Sequence, residues 1–269
     1  MDTARYRITP GTKVRLSEID PREKTLFPLG KIPARSLLDS LNARLQALQA
    51  LLYADRTQKV LVVLQGRNAS GKDGTIRHVF DGVNPQGVRV VSFKTPSAHE
   101  ASHDYLWRIH AQCPAAGELV IFNRSHYEDI LVPRVARTLP KRTWKRRYQQ
   151  IVDFERMLVE EGTTILKFFL HISREEQRER FEARLERREK RWKLDAADLE
   201  QRAQWDAYTD AYEEILSCTS TEHAPWHVIP ADRKWYRNLV VSKVLVDALE
   251  ALEMRWPEPK LDPSKVDLG

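Results

Sequence analysis

KVLVVLQGRNASGKDGT, residues 59–75, carries the first reading of this chain's fold. Its opening residues, Lys59–Leu64, form a short β-branched run that ends at a glycine loop, the pattern of a buried parallel strand. The loop Gly66-Arg67-Asn68-Ala69-Ser70-Gly71-Lys72 has G-x4-G-K spacing between that strand and a helix expected from about Lys72, the context a phosphate loop requires. Small residues let successive backbone N–H groups converge on phosphate oxygens, the helix start adds its positive end, and Lys72 adds a mobile cation. A glycine-rich turn with a surface lysine is the plainer alternative, and the strand-loop-helix context weighs against it. Lys72 is followed by Asp73-Gly74-Thr75 instead of the Ser or Thr that usually gives a hydroxyl to magnesium. Either the metal is held differently or Thr75 is recruited.

Further strands are expected at Val88–Phe93, Glu118–Phe122, Thr163–Ile172 and Trp226–Ile229, with helices between them. That alternation predicts an α/β fold with a doubly wound parallel sheet. Upstream, Pro33 opens an amphipathic helix to about Tyr53, and residues 1–32, with Pro10, Pro21 and Pro28, read as an extended arm available to pack on a neighbour. Downstream, Arg174–Lys193 and Ala197–Leu216 read as two long charged helices projecting as a hairpin. Glu176/Arg180 and Glu186/Lys190 sit at i,i+4 spacing in the first, which suits a solvated face laced with ion pairs. Nine basic residues against six acidic leave an excess there, and the nearby phosphate loop favours a phosphate-contacting lid. The expected organisation is one domain over 1–269, with the arm at 1–32 and the lid region at about 174–216.

ELVIFNRSHYED, residues 118–129, is a second motif: a buried strand ending at Asn123-Arg124, beside the phosphate loop at the carboxyl edge of the sheet. Phosphoryl transfer through a charge-spread transition state needs positioned cations, and Arg124 is placed to supply one unless it salt-bridges Glu128 or Asp129. Those two carboxylates suit magnesium, directly or through water, or a solvated helix start.

Composition narrows the partners. With 42% apolar residues there is material for a core, while 30% charged residues and no apolar run near the ~20 residues of a membrane span argue against a membrane protein. No apolar leader opens the chain, and Cys113 and Cys218 show no metal or disulfide spacing, so a reduced, cytoplasmic protein is expected. A net charge of +6 suits a polyanion. Between Asp129 and Asp153 no acid occurs, while Arg134, Arg137, Lys141, Arg142, Lys145, Arg146 and Arg147 accumulate. The apolar spacing of Trp144, Tyr148, Ile151, Phe154 and Leu158 makes this a helix and an electrostatic landing site, not a disordered tail. No histidine joins an H-E-x-x-H or zinc pattern, and Ser125 lies in no G-x-S-x-G elbow. Trp192, Trp205, Tyr208, Tyr212, Trp226 and Trp235 read as packing residues instead of a base-stacking platform.

Together LQGRNASGKDGTIRHV (64–79), GVNPQGVRVVSFKTPS (82–97), LWRIH (106–110), FNRSHYEDILVPRV (122–135), RWK (191–193) with WDAY (205–208), and STEHAPWHVIPAD (220–232) resemble polyphosphate kinase family 2. The combination of GKDGT, NPQGV and FNRSHYED is similar to the subgroup acting on both nucleoside mono- and diphosphates. The resemblance, from about residue 25 onward, implies a thymidylate-kinase-like P-loop fold with a helical lid, dependence on magnesium or manganese, and a homodimer or homotetramer. It places Gly66, Arg67, Ser70, Gly71, Lys72, Gly74 and Thr75 on phosphates, with Lys72, Arg124, Asn68 and Asp73 at the transferring group. Arg180, Arg184 and Lys193 would line the lid. Lys94, Asp104, Arg108, Asn123, Glu128 and Arg134 would serve the acceptor nucleotide, and Asn68, Glu128 and Asp129 the metal. The donor would be inorganic polyphosphate and the acceptors ADP, GDP and AMP, reversibly.

One position departs from the family: its phosphate loop usually carries Asp where this chain has Asn68. An amide still offers a carbonyl oxygen to metal or water, but cannot offset a divalent charge, so lowered activity is expected. Two other readings share the loop. A small-molecule or nucleotide kinase would use ATP as donor. A nucleic-acid-binding P-loop protein would draw only on the basic charge, and no recognition module supports it.

Overall fold

The computed structural model describes residues 1–259 and 261. In chain order the elements are α1 (Lys31–Asp55), β1 (Lys59–Gln65), α2 (Lys72–Val79), β2 (Val88–Ser92), α3 (Ala98–Ala101), α4 (Trp107–His110), β3 (Leu119–Asn123), α5 (Glu128–Val135), α6 (Lys141–Glu160), β4 (Thr163–His171), α7 (Arg174–Glu186), α8 (Ala196–Ala203), α9 (Trp205–Thr219), β5 (Trp226–Pro230) and α10 (Lys234–Glu250). The five strands form one parallel sheet in the order β2-β3-β1-β4-β5, so all five expected strands are present.

Alternation along the buried strands builds two apolar layers. On β1, Val60, Val62 and Leu64 join the α1 and α10 side, while Leu61 and Val63 join the side of α5, α6 and α9. The result is a three-layer α/β/α sandwich with β1 at its centre. The register Leu64↔Asn123 sets the ends of β1 and β3 side by side, which brings the phosphate loop and the Asn123-Arg124 segment to one edge.

Two expectations are corrected. The projecting hairpin is instead α7, a 3-10 turn at Arg188–Lys193, α8 and α9. Arg187 turns extended (φ −96°, ψ 110°), so Glu186 and Lys190 do not share a helix. Helix α9 buries Tyr208, Ala211, Tyr212, Ile215 and Leu216, an apolar stripe at i, i+3, i+4, i+7 and i+8, and belongs to the core layer. The arm packs on its own chain. Ile8 N donates to Trp226 O at 2.8 Å and Arg7 bridges His227 antiparallel, covering the β5 edge. Tyr6 and Tyr236 share a 2.6 Å hydroxyl contact that ties the arm to α10.

Candidate active site

Two glycines shape the phosphate loop. At Gly66 (φ +146°) a Cβ would lie 2.7 Å from Leu170 O, and at Gly71 (φ +101°) it would lie 1.8 Å from Arg237 Nη1. Ala69 adopts φ +63°, a conformation held by the surrounding contacts. Among the described residues no protein acceptor engages the N–H groups of Ala69, Gly71, Lys72, Asp73 or Gly74. These free donors at the start of α2 form an anion cradle. Lys72 folds back over it, donating to Gly66 O at 2.7 Å. Burial, then the charge of Arg124, pushes its ammonium down to about 8. Thr75 Oγ1 donates its proton to Gly71 O at 3.2 Å, and the hydroxyl is buried.

Three arginines lie under or behind the loop. Arg180, expected to face phosphate from a lid, is buried beneath it with every N–H engaged. Its Nη1 donates to Ala69 O (2.8 Å) and Ser70 O (2.9 Å), Nη2 to Ala231 O (2.6 Å) and Asp232 O (3.2 Å), and Nε to Glu176 (2.7 Å). Arg237 reaches Ser70 O at 3.2 Å and is held by Asn238 Oδ1. Burial pushes its guanidinium down to about 9. These donors pin the loop's carbonyls inward and so turn its N–H groups outward. Arg67, also expected on phosphate, points away: its guanidinium stacks 3.7 Å over the Trp205 ring and bonds Trp205 O and Thr209.

Arg124, near enough for its charge to act on Lys72, sits in a left-handed conformation (φ +65°) and donates to Asn68 Oδ1 at 3.1 Å, not to Glu128 or Asp129. Asn68 Nδ2 donates to Gln201 Oε1 at 2.6 Å, joining the loop to α8. Asp73 accepts from Asn123 Nδ2 (3.0 Å) and Lys193 Nζ (3.3 Å). Burial raises the Asp73 carboxyl, but these two donors outweigh it and hold it below the usual range. Arg184 pairs with Asp198 at 3.7 Å and donates to Lys193 O, so α7, the 3-10 turn and α8 are cross-linked above the loop. Trp192, expected to pack, is 76% exposed at that turn.

Beneath Arg124 lies a buried polar cluster. Lys167 Nζ donates to Glu155 Oε2 (2.6 Å), Tyr127 OH (2.9 Å) and Thr219 O (2.7 Å), and Glu155 Oε1 also meets His126 Nε2 (3.0 Å) and Tyr127 OH (2.8 Å). Burial raises the Glu155 carboxyl, but Lys167 and His126 pull it below its ordinary value. The cluster fixes residues 126 and 127, and with them the segment between Arg124 and Glu128.

The residues expected at the acceptor do not gather at one place: Lys94 and Arg108 line one cleft, Arg134 another, and Asn123 sits by the phosphate loop. Arg108 Nη1 donates to Lys94 O (2.8 Å) and Nη2 to Asp129 Oδ2 (3.4 Å), at a polar cleft of about 380 Å³ that Phe93, Lys94, Glu100 and Arg108 line. The buried Arg108 Nε has no partner there. Asp104 instead caps the α4 turn, accepting from Leu106 N and Trp107 N. Arg134 is elsewhere, paired with Glu214 at 2.5 Å and bonded to Tyr148 OH.

Asp129, expected in the metal set, accepts from Arg108 Nη2 at 3.4 Å. Among the described residues no three His, Cys, Asp or Glu side chains gather as a metal cluster. Among the described residues Glu128 forms no ion pair, and the Gln65 amide satisfies both neighbours when its nitrogen faces Glu128 Oε1 (3.1 Å) and its oxygen accepts from Ser125. Glu128 and Asp73 both act electrostatically on Lys72. One or two carboxylates beside a phosphate cradle fit a hard divalent cation that keeps waters and takes its other oxygens from substrate. Arg237 and Lys167 escaped the motif reading. For Lys167 the signal is a lone cation in an apolar run, TTILKFFL (163–170), which requires a buried partner; Arg237 has no such signal, since Arg233, Lys234 and Lys243 flank it.

Among the described residues no helix is long and apolar enough to cross a membrane. The family model described as Polyphosphate kinase 2 (PPK2) matches residues 31–257. The chain is 56% identical over 262 residues to an AMP/ADP-polyphosphate phosphotransferase of Meiothermus ruber, covering 97% of this chain and 98% of that one. It is 45% identical to an ADP-polyphosphate phosphotransferase of Rhodopseudomonas palustris, covering 95% and 92%. The crystal structure of polyphosphate kinase 2 from Arthrobacter aurescens superposes with a TM-score of 0.92 at 42% identity, covering 96% and 92%. With its phosphate cradle, its paired cations and these matches over nearly its whole length, the chain belongs to the polyphosphate kinase 2 family.

Proposed function

We propose that the protein moves the terminal phosphoryl group of inorganic polyphosphate to a nucleoside mono- or diphosphate, AMP, ADP or GDP, and runs the reaction in both directions. The observation that carries this reading is the cradle of free N–H donors with two cations, Lys72 and Arg124, held against the same loop. In-line transfer through a loose transition state spreads charge over the moving phosphoryl oxygens, and fixed cations lower its energy. Lys72, released from Gly66 O, follows the transferring group. Arg124 stays aligned by Asn68 and by the rigid segment beneath it. Glu128 and Asp73 would hold magnesium, or manganese in its place, and the ion would neutralise phosphate charge when bound. Residues 174–203 act as a lid through Lys193, Arg184 and Gln201, and the Arg108–Lys94 cleft receives the acceptor. Leu29 and Ile32, 71% and 88% exposed beside one another, suit contact with a second copy in a homo-oligomer.

The test is incubation with magnesium, long-chain polyphosphate and AMP or ADP, without ATP, followed by nucleotide chromatography. ADP and ATP are the expected products. Silence from both this chain and Asn68→Asp, with phosphorylation driven by ATP alone, would overturn the reading.

A further inference from the structure

The first half of α6 runs against the usual placement of charge on a helix. It opens behind Pro140 with no acid in its first turn and carries Lys141, Arg142, Lys145 and Arg146, all exposed. Peptide dipoles already make that end positive, so Lys141 and Arg142 in the first turn are disfavoured, and Lys145 and Arg146 one turn on crowd them with like charge. Later in the same helix Arg156 is balanced by Asp153 and Glu160 at 3.0 and 4.0 Å. Among the described residues no carboxylate pairs with the four early cations, or with exposed Arg137 on the turn before them. Cations kept uncompensated at an unfavourable place point to a ligand that supplies the missing charge.

Arg137 and Arg134 also line a cleft of about 520 Å³ whose other wall includes Gln204, Ala207 and Asp210. Gln204 lies between Gln201, which touches Asn68, and Trp205, whose carbonyl accepts from Arg67. The cleft therefore opens directly beyond the α8–α9 junction that contacts the phosphate loop. Asp210 and the Arg134–Glu214 pair leave this passage locally balanced, and the excess charge begins at Arg137.

We propose that Arg137, Lys141, Arg142, Lys145 and Arg146 form an exosite for inorganic polyphosphate, holding the polymer away from its reacting end. The proposal rests on the phosphotransferase reading and adds where the unreacted length of the donor lies. A flexible polyanion with one charge per unit suits lysines and arginines one helical turn apart, about 6 Å. A reader of single-stranded nucleic acid would also need exposed aromatic rings for stacking, and Trp144 and Tyr148 on this helix are buried. Attachment at two places on one chain raises its effective concentration at the loop, so affinity grows with polymer length.

The test compares the unaltered protein with the variant Arg137→Gln, Lys141→Gln, Arg142→Gln, Lys145→Gln, Arg146→Gln in ATP formation from ADP, using long-chain polyphosphate or tripolyphosphate at several salt concentrations. The variant's KM for the long chain should rise roughly tenfold or more, and its salt dependence should flatten by about 0.7 log units per log unit of salt for each phosphate no longer neutralised. Its KM for tripolyphosphate and KM for ADP should not change, and its Tm should not fall. An unchanged long-chain KM, or an equal effect with tripolyphosphate, would overturn the exosite. So would weakened affinity for an RNA oligonucleotide with polyphosphate affinity intact. No ATP from either donor with the unaltered protein would instead defeat the phosphotransferase reading, and direct binding of labelled long-chain polyphosphate to both proteins would still decide the exosite.

Discussion

Arginines lie both beneath and above the phosphate loop, and they are held in opposite ways. Beneath it, Arg180 and Arg237 are buried and donate to backbone carbonyls that do not move apart from the fold. Above it, Arg184 and Lys193 rest on a 3.7 Å ion pair and a 3.3 Å contact with half-exposed Asp73, across a turn that exposes Trp192. Basic residues serve as scaffold where water is excluded, and where it is not they rest on weaker, exchangeable contacts that the proposed reading gives to substrate. Solvation, more than side-chain identity, separates the two roles.

Four measurements put that contrast at risk. Arg124→Ala, removing a cation aimed into the cradle from its rim, should lower kcat by about 10³-fold or more, read in steady-state transfer from polyphosphate. Removing a floor residue should instead act on stability: Arg237→Met leaves Asn238 Oδ1 without a donor in the interior and Ser70 O with Arg180 alone, at a cost of about 1–3 kcal/mol in urea unfolding. A full-strength fold with normal kcat in that variant would erase the distinction between floor and rim. Burial pushes the Lys72 ammonium down to about 8, and on the proposed reading the charged form is the one that holds phosphate. The charged form is depleted as pH rises through that value, so kcat/KM for polyphosphate should fall about tenfold per pH unit above it. Lys193→Ala, breaking a roof contact, should change stability by only about 0–1 kcal/mol while raising KM for polyphosphate.

Asn68 lies between the two regions, accepting from Arg124 and donating to Gln201. Asn68→Asp should raise the rate with magnesium, since a carboxylate strengthens the Arg124 contact and offers charge to the ion, provided Gln201 turns its amide nitrogen inward. An unchanged or lower rate would show that this position no longer limits turnover.

The strands were legible because each is a short apolar run bounded by turns, and the loop because its glycines and lysine have fixed spacing. Charge was the misleading signal. Arg174–Lys193 looked like one long helix because its charges are spaced as ion pairs, but ion pairs at 0.2–0.5 kcal/mol are too weak, by about tenfold, to dictate where a helix stops. Local capping by Asp195 and the extended Arg187 decide it. Tyr208, Ala211, Tyr212, Ile215 and Leu216 carried the correct placement of α9, and their apolar period outweighs the surrounding acids. Motif logic gave Arg67 and Arg180 a phosphate role from their position in the chain. Direction of the side chain is a property of the packed fold, and both point into it.

The contact between Arg237 and Ser70 spans 167 residues of chain. During synthesis at roughly 5–20 residues per second, the loop emerges about 10–30 s before the helix that completes its floor. Until α10 docks, nothing from that helix holds the Ser70 carbonyl inward, and the emerging loop is a poor trap for phosphate. Competence for phosphoryl transfer therefore arrives late and all at once, with the closing of the last layer, and an incomplete nascent chain is spared from sequestering the substrates of its finished siblings.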